Sequence, residues 1–326
     1  MSSASQPAAV GSRLVASSEL AVVHLVRASN GLEPFARFIG SYRRHPAGAE
    51  HDLILLLKGF GSEPVQHLEL AAGLGAQTLD VPDAGFDLGS YRRAALALPH
   101  RRLALLNSFS TILADGWLGR LAAALDAPGA AAAGASGSWG SHVSHMRYEN
   151  GLGGPYAHVF DAREETHSVF ATLAGQPASS LASPSLLSRL RSVAVIARQL
   201  AGFAEFPAPH LRTNGLLVER DAWLRVCPRA PRDKLAAHRM ESGRRGISTR
   251  LRARGELFLA GREGVFAQDD WPASNTFWQA GQDNLLIGDN QTLAYERGDA
   301  VTRRVLSGYA WGMSAAPAEP RFAESV

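Results

Sequence analysis

LAVVHLVRASNGLEPFARFIGSYRRHPAGAEHDLILLL, residues Leu20–Leu57, decides the fold. Its first seven residues (Leu20–Val26) are apolar and rich in β-branched side chains, the pattern of a strand buried on both faces. Arg27-Ala-Ser-Asn-Gly31 is polar and ends in glycine, and reads as a loop. From Glu33 to Arg44 the apolar residues Phe35, Phe38, Ile39 and Tyr42 recur at helical spacing on one side. Pro46–Glu50 breaks that helix, and DLILLL (Asp52–Leu57) is a second buried strand.

The alternation continues downstream. Pro64–Leu74 reads as a helix, Thr78–Val81 as a strand, Gly89–Leu98 as a helix and Arg102–Leu106 as a fourth strand. Helix Gly116–Leu125 and an Ala-rich strand at Ala130–Gly134 follow, and then a Gly/Ser segment, Gly134–Ser144. Short apolar strands alternating with helices predict the α/β class: a mostly parallel, Rossmann-like sheet with helices on both faces. Residues 146–206 are less regular and read as a helical insertion, with a loop at Pro177–Pro184 and an amphipathic helix at Ser185–Ala201. Strand character returns at Leu211–Glu219, helical character at Asp221–Val226 and Lys234–Arg254, and a short strand at Leu257–Ala260. The expected organisation is a disordered lead-in (1–18), an α/β domain (19–262), a tryptophan-rich C-terminal extension packed on it (263–312) and a disordered tail (313–326).

Composition excludes several classes. The chain has 326 residues, 46% hydrophobic and 19% charged. A chain of this size buries about three quarters of its unfolded surface and needs no disulfides. Its one cysteine, Cys227, offers neither a disulfide framework nor a cysteine-type zinc site, and suggests a reducing compartment, the cytoplasm. Net charge is only +3, and of 33 basic residues just Lys58 and Lys234 are lysine. The high isoelectric point, about 9.3, thus partly reflects arginine's high pKa and is no footprint of nucleic-acid binding. The densest basic run is Arg239–Arg254, which suits a solvated helix face or contact with phosphates or a membrane surface. No run approaches the ~18 apolar residues of a spanning helix. A peripheral lipid contact of Ser185–Ala201 is weighed against simple core packing.

The phosphate-binding glycine loop, the dinucleotide G-x-G-x-x-G, the G-x-S-x-G elbow and H-E-x-x-H are all missing. His142, His145 and Glu149 would form a two-histidine, one-carboxylate set on a helix, but the Gly/Ser-rich context argues against it. In open α/β sheets ligands sit at the carboxyl ends of the strands. Those ends carry Arg27, Ser29 and Asn30 after the first strand, Asp83 and Asp87 after the third, and Asn107 and Ser108 after the fourth. A carboxylate at Asp83 or Asp87 can accept from a ribose hydroxyl or a base N–H. A turn role for Asp83 and a helix cap for Asp87 are the structural alternatives.

PDAGFDLGSYRRA (82–94) is similar to the N-x-G-x-D-x-G-x-Y phrase of rhamnan-synthesis F-type proteins and their relatives. LLNSFS (105–110) stands where such chains carry a short acidic DxD-like motif. WLGRLAAALDAPGAAAAGASGSW (117–139), HLRTNGLLVERDAWLRV (210–226) and MESGRRGISTRLRARGELFLAG (240–261) resemble the later phrases in order and spacing. Over about Leu20–Gly261 the chain thus resembles a GT-A fold glycosyltransferase of the family-2-like type.

That resemblance implies transfer of a hexosyl or deoxyhexosyl group from a nucleotide-sugar donor to a hydroxyl of a glycan or glycoconjugate, as in building a polysaccharide. Glu241 corresponds to the carboxylate that activates the acceptor in inverting members. The donor would meet Arg27, Ser29, Asp83, Asp87, Asn107, Ser108, Arg212 and Arg244. Acceptor or sugar would meet Trp139, His210, Asn214, Trp271 and Trp278, whose rings stack on sugar C–H faces. Packing of the tryptophans into the core is the alternative. The chain departs from the family at the DxD-like position, where Asn107, Ser108 and Phe109 supply no carboxylate for Mg²⁺ or Mn²⁺. Asp269 and Asp270 are the replacement candidates, and arginines can offset the diphosphate charge instead. The second acid of the family's E-D pair is Ser242 here. A nucleotide-sugar- or glycan-binding protein without turnover is the alternative function on the same fold.

Overall fold

The computed structural model describes residues 14–176 and 186–312. In chain order the strands are β1 (Leu20–Arg27), β2 (Asp52–Lys58), β3 (Gln77–Val81), β4 (Arg102–Leu106), β5 (Thr111–Ile112), β6 (Ala130–Gly134), β7 (Gly137–Ser138), β8 (His210–Leu211), β9 (Leu216–Glu219), β10 (Glu256–Ala260), β11 (Val265–Phe266) and β12 (Ile287–Gly288). The helices are α1 (Glu33–Arg44), α2 (Val65–Ala71), α3 (Phe86–Ala97), α4 (Trp117–Asp126), α5 (His142–Glu149), α6 (Arg163–Leu173), α7 (Leu186–Leu200), α8 (Arg220–Val226), α9 (Lys234–Ser242), α10 (Ile247–Arg252), α11 (Asn290–Arg297) and α12 (Ala300–Trp311).

Eight strands form the central sheet in the order β11-β10-β6-β9-β4-β1-β2-β3. β1 pairs in parallel with both β2 and β4, and β2 with β3. Only β9, between β4 and β6, and the edge strand β11 run against the others. The α/β class and mostly parallel sheet expected from the sequence are thus present. β1 explains its own composition. Ala21, Val23 and Leu25 face one core with Leu88 and Tyr91 of α3 and Trp223 of α8. Leu20, Val22 and Val26 face the other with Phe35 and Phe38 of α1 and Leu121 of α4. Side chains alternate between faces, so a strand covered on both sides is apolar throughout.

Two expected elements differ, and the extension adds two helices for which no element was expected. The strand Leu211–Glu219 breaks into β8 and β9, with Gly215 at a left-handed φ of 74° between them. The helix Lys234–Arg254 ends at Ser242 and restarts at Ile247, with Gly243 and Gly246 in the break. The polar tail folds into α11 and α12, started by side-chain caps from Asp289 and Asp299. The lead-in up to residue 13, the Pro177–Pro184 loop and the tail from residue 313 lie outside the described residues. Cys227 is fully buried, and burial pushes its thiol up to about 11.

Two short pairings bind distant segments to the sheet's carboxyl edge. β5, just after β4, pairs with β12, and β7 pairs with β8. They bring residues 212–214 and 288–291 beside Asn107. The extension itself is cemented by aromatic packing: the Trp311 indole donates to the Phe277 carbonyl at 2.7 Å, and the Tyr156 hydroxyl to the Tyr309 carbonyl at 2.7 Å. No helix among the described residues is long and apolar enough to cross a membrane.

Candidate functional site

A crevice of about 570 Å³ opens where the strand order reverses, at the carboxyl ends of β1 and β4. Such a point leaves a gap because the connections leave the sheet in opposite directions. Arg27 and Asn30 follow β1, and Asn107 and Ser108 follow β4. Asp87 enters from the first turn of α3, Glu241 from the last turn of α9. His210 comes from β8, and Arg212 and Asn214 from the break between β8 and β9. Trp278 and Asp289 close it from the extension.

Three carboxylates reach this crevice, each in a different state. Asp289 is 4% exposed and saturated. One oxygen takes the backbone N–H groups of Gln291 and Thr292, at 3.0 and 3.1 Å. The other takes Arg212 at 2.7 Å and the Asn107 amide at 3.2 Å. Asp87 does not cap α3, which starts from Gly85 without a side-chain cap. Burial raises its pKa, against the opposing pull of Lys58 and Arg27. Glu241 makes no hydrogen bond or ion pair among the described residues. Burial, with the like charge of Asp87, pushes it up to about 7, against the pull of Arg212. The end of α9 at Ser242 removes the helical spacing that would have paired Glu241 with Arg244 or Arg245.

The cations are equally distinct. Arg212 is spent on internal contacts: it holds Asp289 and, at 3.0 Å, Gln291, and lies over the Phe277 ring at 4.1 Å. Arg27 pairs with Asp83 at 3.1 Å in the open, where such a pair is easily exchanged for a ligand. Lys58 ends the apolar run of β2 and is 1% exposed. Its ammonium donates to the Phe86 carbonyl at 2.8 Å, which fixes the turn that carries Asp87. Phe86 has a φ of 54°, an uncommon conformation for a bulky residue, so that turn needs an anchor. His210 is kept neutral chiefly by burial. Its Nδ1–H is placed to donate to the Ala208 carbonyl at 2.8 Å, which leaves Nε2 as an acceptor.

Asn214 is 1% exposed and structural in its contacts. It accepts from the Ser110 hydroxyl at 2.5 Å and donates to the Gly288 carbonyl at 3.2 Å. These bonds lock the loop after β4 to the extension. Trp278 lines the crevice but is 3% exposed; its indole stacks on Phe277 and donates to the Gln291 carbonyl at 3.0 Å.

Several sequence candidates lie elsewhere. Trp271 is fully buried, with its indole on the Phe266 carbonyl. Trp139 packs near Trp311 behind the crevice. Asp269 and Asp270 are exposed on a 3-10 turn (Gln268–Ala273) and do not line the crevice. Ser29 is exposed and also outside its lining, and Asp83 meets it only through Arg27. Arg244 is turned away, bonded to the Phe203 carbonyl at 2.8 Å, because the chain reverses after α9. His142 and His145 do lie on a helix, α5, where Glu149 approaches His145 and His167, at 3.7 and 3.2 Å. Burial holds the His145 pKa down at about 3. Among the described residues no three His, Cys, Asp or Glu side chains converge as a metal site.

The residues in the crevice do not fit a divalent cation. Asn107 and Ser108 are neutral, Asp289 has no free oxygen, and burial disfavours the charged form of Asp87 and Glu241. Sequence reasoning missed Lys58, which anchors the turn carrying Asp87; Asp289, Asn290 and Gln291 stand in the polar, tryptophan-rich segment whose carboxylates and amides suit sugar hydroxyls, without being assigned to this crevice. Lys58 carried one signal: a lone charge at the end of DLILLLK. Asp289 carried another, a cap spacing with Thr292.

No protein-family model and no curated relative matches the chain. Solved structures match in part. S. aureus TarS, residues 1–349 with UDP-GlcNAc, is 14% identical over 33% of this chain and 31% of its own, with a TM-score of 0.28. GalNAc-T7 with UDP, GalNAc and Mn²⁺ is 14% identical over 35% and 22%, with a TM-score of 0.29. A mannosyltransferase from Pyrobaculum calidifontis with GDP-Man and Mn²⁺ is 10% identical over 36% and 34%, with a TM-score of 0.29. The chain thus spans about a third or less of these proteins, and the functional reading rests on the crevice itself. What the chain is similar to, over about a third of its length, is a set of GT-A-type glycosyltransferases.

Proposed function

We propose that the chain transfers a sugar from a nucleotide-sugar donor to a hydroxyl group of a glycan or glycoconjugate, with Glu241 as the base. The observation that carries this is Glu241 itself. It is an unpaired carboxylate facing a crevice at the sheet's switch point, with a pKa pushed up to about 7. A base poised there is half-deprotonated near neutrality and strong enough to take a hydroxyl proton.

In this reading the nucleotide lies over the ends of β1 and β4. Asp87 accepts from its ribose or base. Arg27, released from Asp83, faces the diphosphate, while Lys58 stays beneath the Phe86 turn that carries Asp87. The acceptor oxygen attacks the anomeric carbon and its proton passes to Glu241. The bond from that carbon to the diphosphate oxygen breaks, and the nucleoside diphosphate leaves with the electron pair. Arg27 then offsets the charge that builds on the leaving group, the role that falls to it where the carboxylates do not suit a cation. The product is a glycan lengthened by a hexosyl or deoxyhexosyl unit, as polysaccharide synthesis requires. The work would be done in the cytoplasm, where nucleotide sugars are made.

The test is release of nucleoside diphosphate from UDP-, GDP- and dTDP-sugars, and of CMP from a CMP-sugar, by wild type and Glu241→Gln. One donor is expected to turn over, about 10²–10⁴-fold more slowly in the variant, with donor binding retained. Equal turnover by the two proteins rules Glu241 out as base. Binding without turnover by wild type supports a nucleotide-sugar-binding protein instead.

A further inference from the structure

A second cleft lies outside the crevice, and its chemistry is uniform. It measures about 570 Å³ and sits between the end of α7, the loop after α8, and α9–α10. Six arginines line it: Arg229, Arg232, Arg239, Arg244, Arg245 and Arg250. The one carboxylate on its wall, Asp233, is engaged in capping α9, accepting from the Ala236 N–H at 2.7 Å. Among the described residues none of the six is ion-paired with an acid. Six like charges repel one another, so gathering them unpaired costs stability unless an anion completes the set.

Two of the six are also held in place by hydrogen bonds to the backbone. Arg244 donates through Nε to the Phe203 carbonyl at 2.8 Å, and Arg250 through Nη1 to the Val226 carbonyl at 3.1 Å. Each keeps its other N–H groups free. Arg239 lies against the backbone of Gly202, where a Cβ would come within 2.7 Å of its Nε, and that Nε is buried without an acceptor. Guanidiniums fixed by backbone contacts lose little entropy when they clamp an oxyanion.

We propose that this cleft binds a ligand bearing two or more phosphate groups. Arginine forks match phosphate oxygens in pairs, and six exceed what one phosphate can engage. The shared chemistry has two sources: a free polyphosphate or nucleotide, or the phosphate headgroups of an anionic membrane. Val193 and Val195 stand out from α7, at 47% and 49% exposure, on the helix that ends at this cleft. A membrane would cover them, which makes lipid an arm of the test. The inference does not depend on how the crevice is read.

Full-length protein is titrated calorimetrically with pyrophosphate and with tripolyphosphate. In parallel it is floated with phosphatidylcholine vesicles, with and without phosphatidylglycerol. Binding in at least one arm is expected. Arg239→Gln/Arg245→Gln should weaken it at least about tenfold, and Asp269→Asn, exposed and outside both clefts, should leave it unchanged. Arg232→Gln/Arg245→Gln, at two exposed positions, repeats the test should the first variant not fold. Binding of the soluble anions assigns the site to free phosphates; capture only by phosphatidylglycerol vesicles assigns it to headgroups. No binding in either arm overturns the proposal. So does binding that the arginine variants leave intact.

Discussion

Glu241 links the chemistry to a measurable sign. A folded-state pKa near 7 lies above the ordinary glutamate value, because burial and Asp87 both disfavour the charge. As a base it must be unprotonated, so kcat/KM should rise as pH climbs through about 7 and level off above. A profile flat between pH 5.5 and 8.5 would argue against the assignment. The same shift acts on stability with the opposite trend. The folded protein binds the proton more tightly than the unfolded chain, so this group's stabilisation is complete at acid pH and is lost as pH rises through about 7. Glu241→Gln removes that loss. It should be more stable than wild type at pH 8, on the order of 1–2 kcal/mol after allowance for solvent screening. The difference should vanish toward pH 4.5, as read from urea unfolding at the two pH values. The sequence allowed Glu241 to be singled out, because the phrase around it (240–261) resembles a known one. It did not reveal that the neighbouring arginines are turned away, since that follows from the Gly243–Gly246 break in the helix.

At the scale of elements, the order of strands and helices was legible, and Arg27, Asp87, Asn107, Arg212 and Glu241, singled out from sequence, do line the crevice; the turns that bring them together were not legible. β1, β2 and β4 carry apolar runs that only a doubly covered sheet can bury, so their order along the chain reads directly from residue type, while the edge strand β3 (QTLDV) is half exposed. β9 runs antiparallel between β4 and β6, and a run of apolar residues carries no direction. The turn at 212–215, which delivers Arg212 and Asn214 to the crevice, was hidden because its two flanks read as one strand. β1 also holds a cost that residue type disguises. His24 is fully buried, stacked on Phe38 at 3.6 Å, with both ring nitrogens unpartnered. Burial lowers its pKa to about 3. The unfolded chain takes up a proton there below about pH 6.5 and the folded one does not, so His24 drains stability as pH falls from about 6.5 toward 3. His24→Leu should stabilise by about 1–2 kcal/mol at pH 7 and flatten the loss between pH 7 and 5, by denaturant titration. An unchanged pH slope would contradict this. Gly140 is a second such position. A Cβ there would run into the Tyr309 ring of α12, so Gly140→Ala should cost about 1–3 kcal/mol in the same assay.

Across the whole molecule, the C-terminal extension is a wall of the crevice as well as a cover for the core. Trp311 supports Phe277, Phe277 lies under Arg212, and Arg212 holds Asp289 against Asn107. Trp311→Ala should therefore cost about 3–5 kcal/mol in stability and weaken donor binding, although Trp311 does not line the crevice. The tail's composition pointed to sugar stacking by Trp271 and Trp278. The fold uses those rings for packing, and the polar groups beside them, Asp289 and Gln291, hold Arg212 at the crevice wall, because large aromatic surface is worth most when fully buried. The central claim is that this crevice takes a nucleotide without needing a divalent cation. The most direct measurement is the melting midpoint of the protein with UDP, GDP, dTDP and CMP, each in EDTA and in Mn²⁺. A ligand at 100 times its dissociation constant stabilises the native state by about 2.7 kcal/mol. The account predicts a rise with one nucleotide that is equal in EDTA and Mn²⁺; no rise with any of the four in folded protein, or a rise only with Mn²⁺, would contradict it.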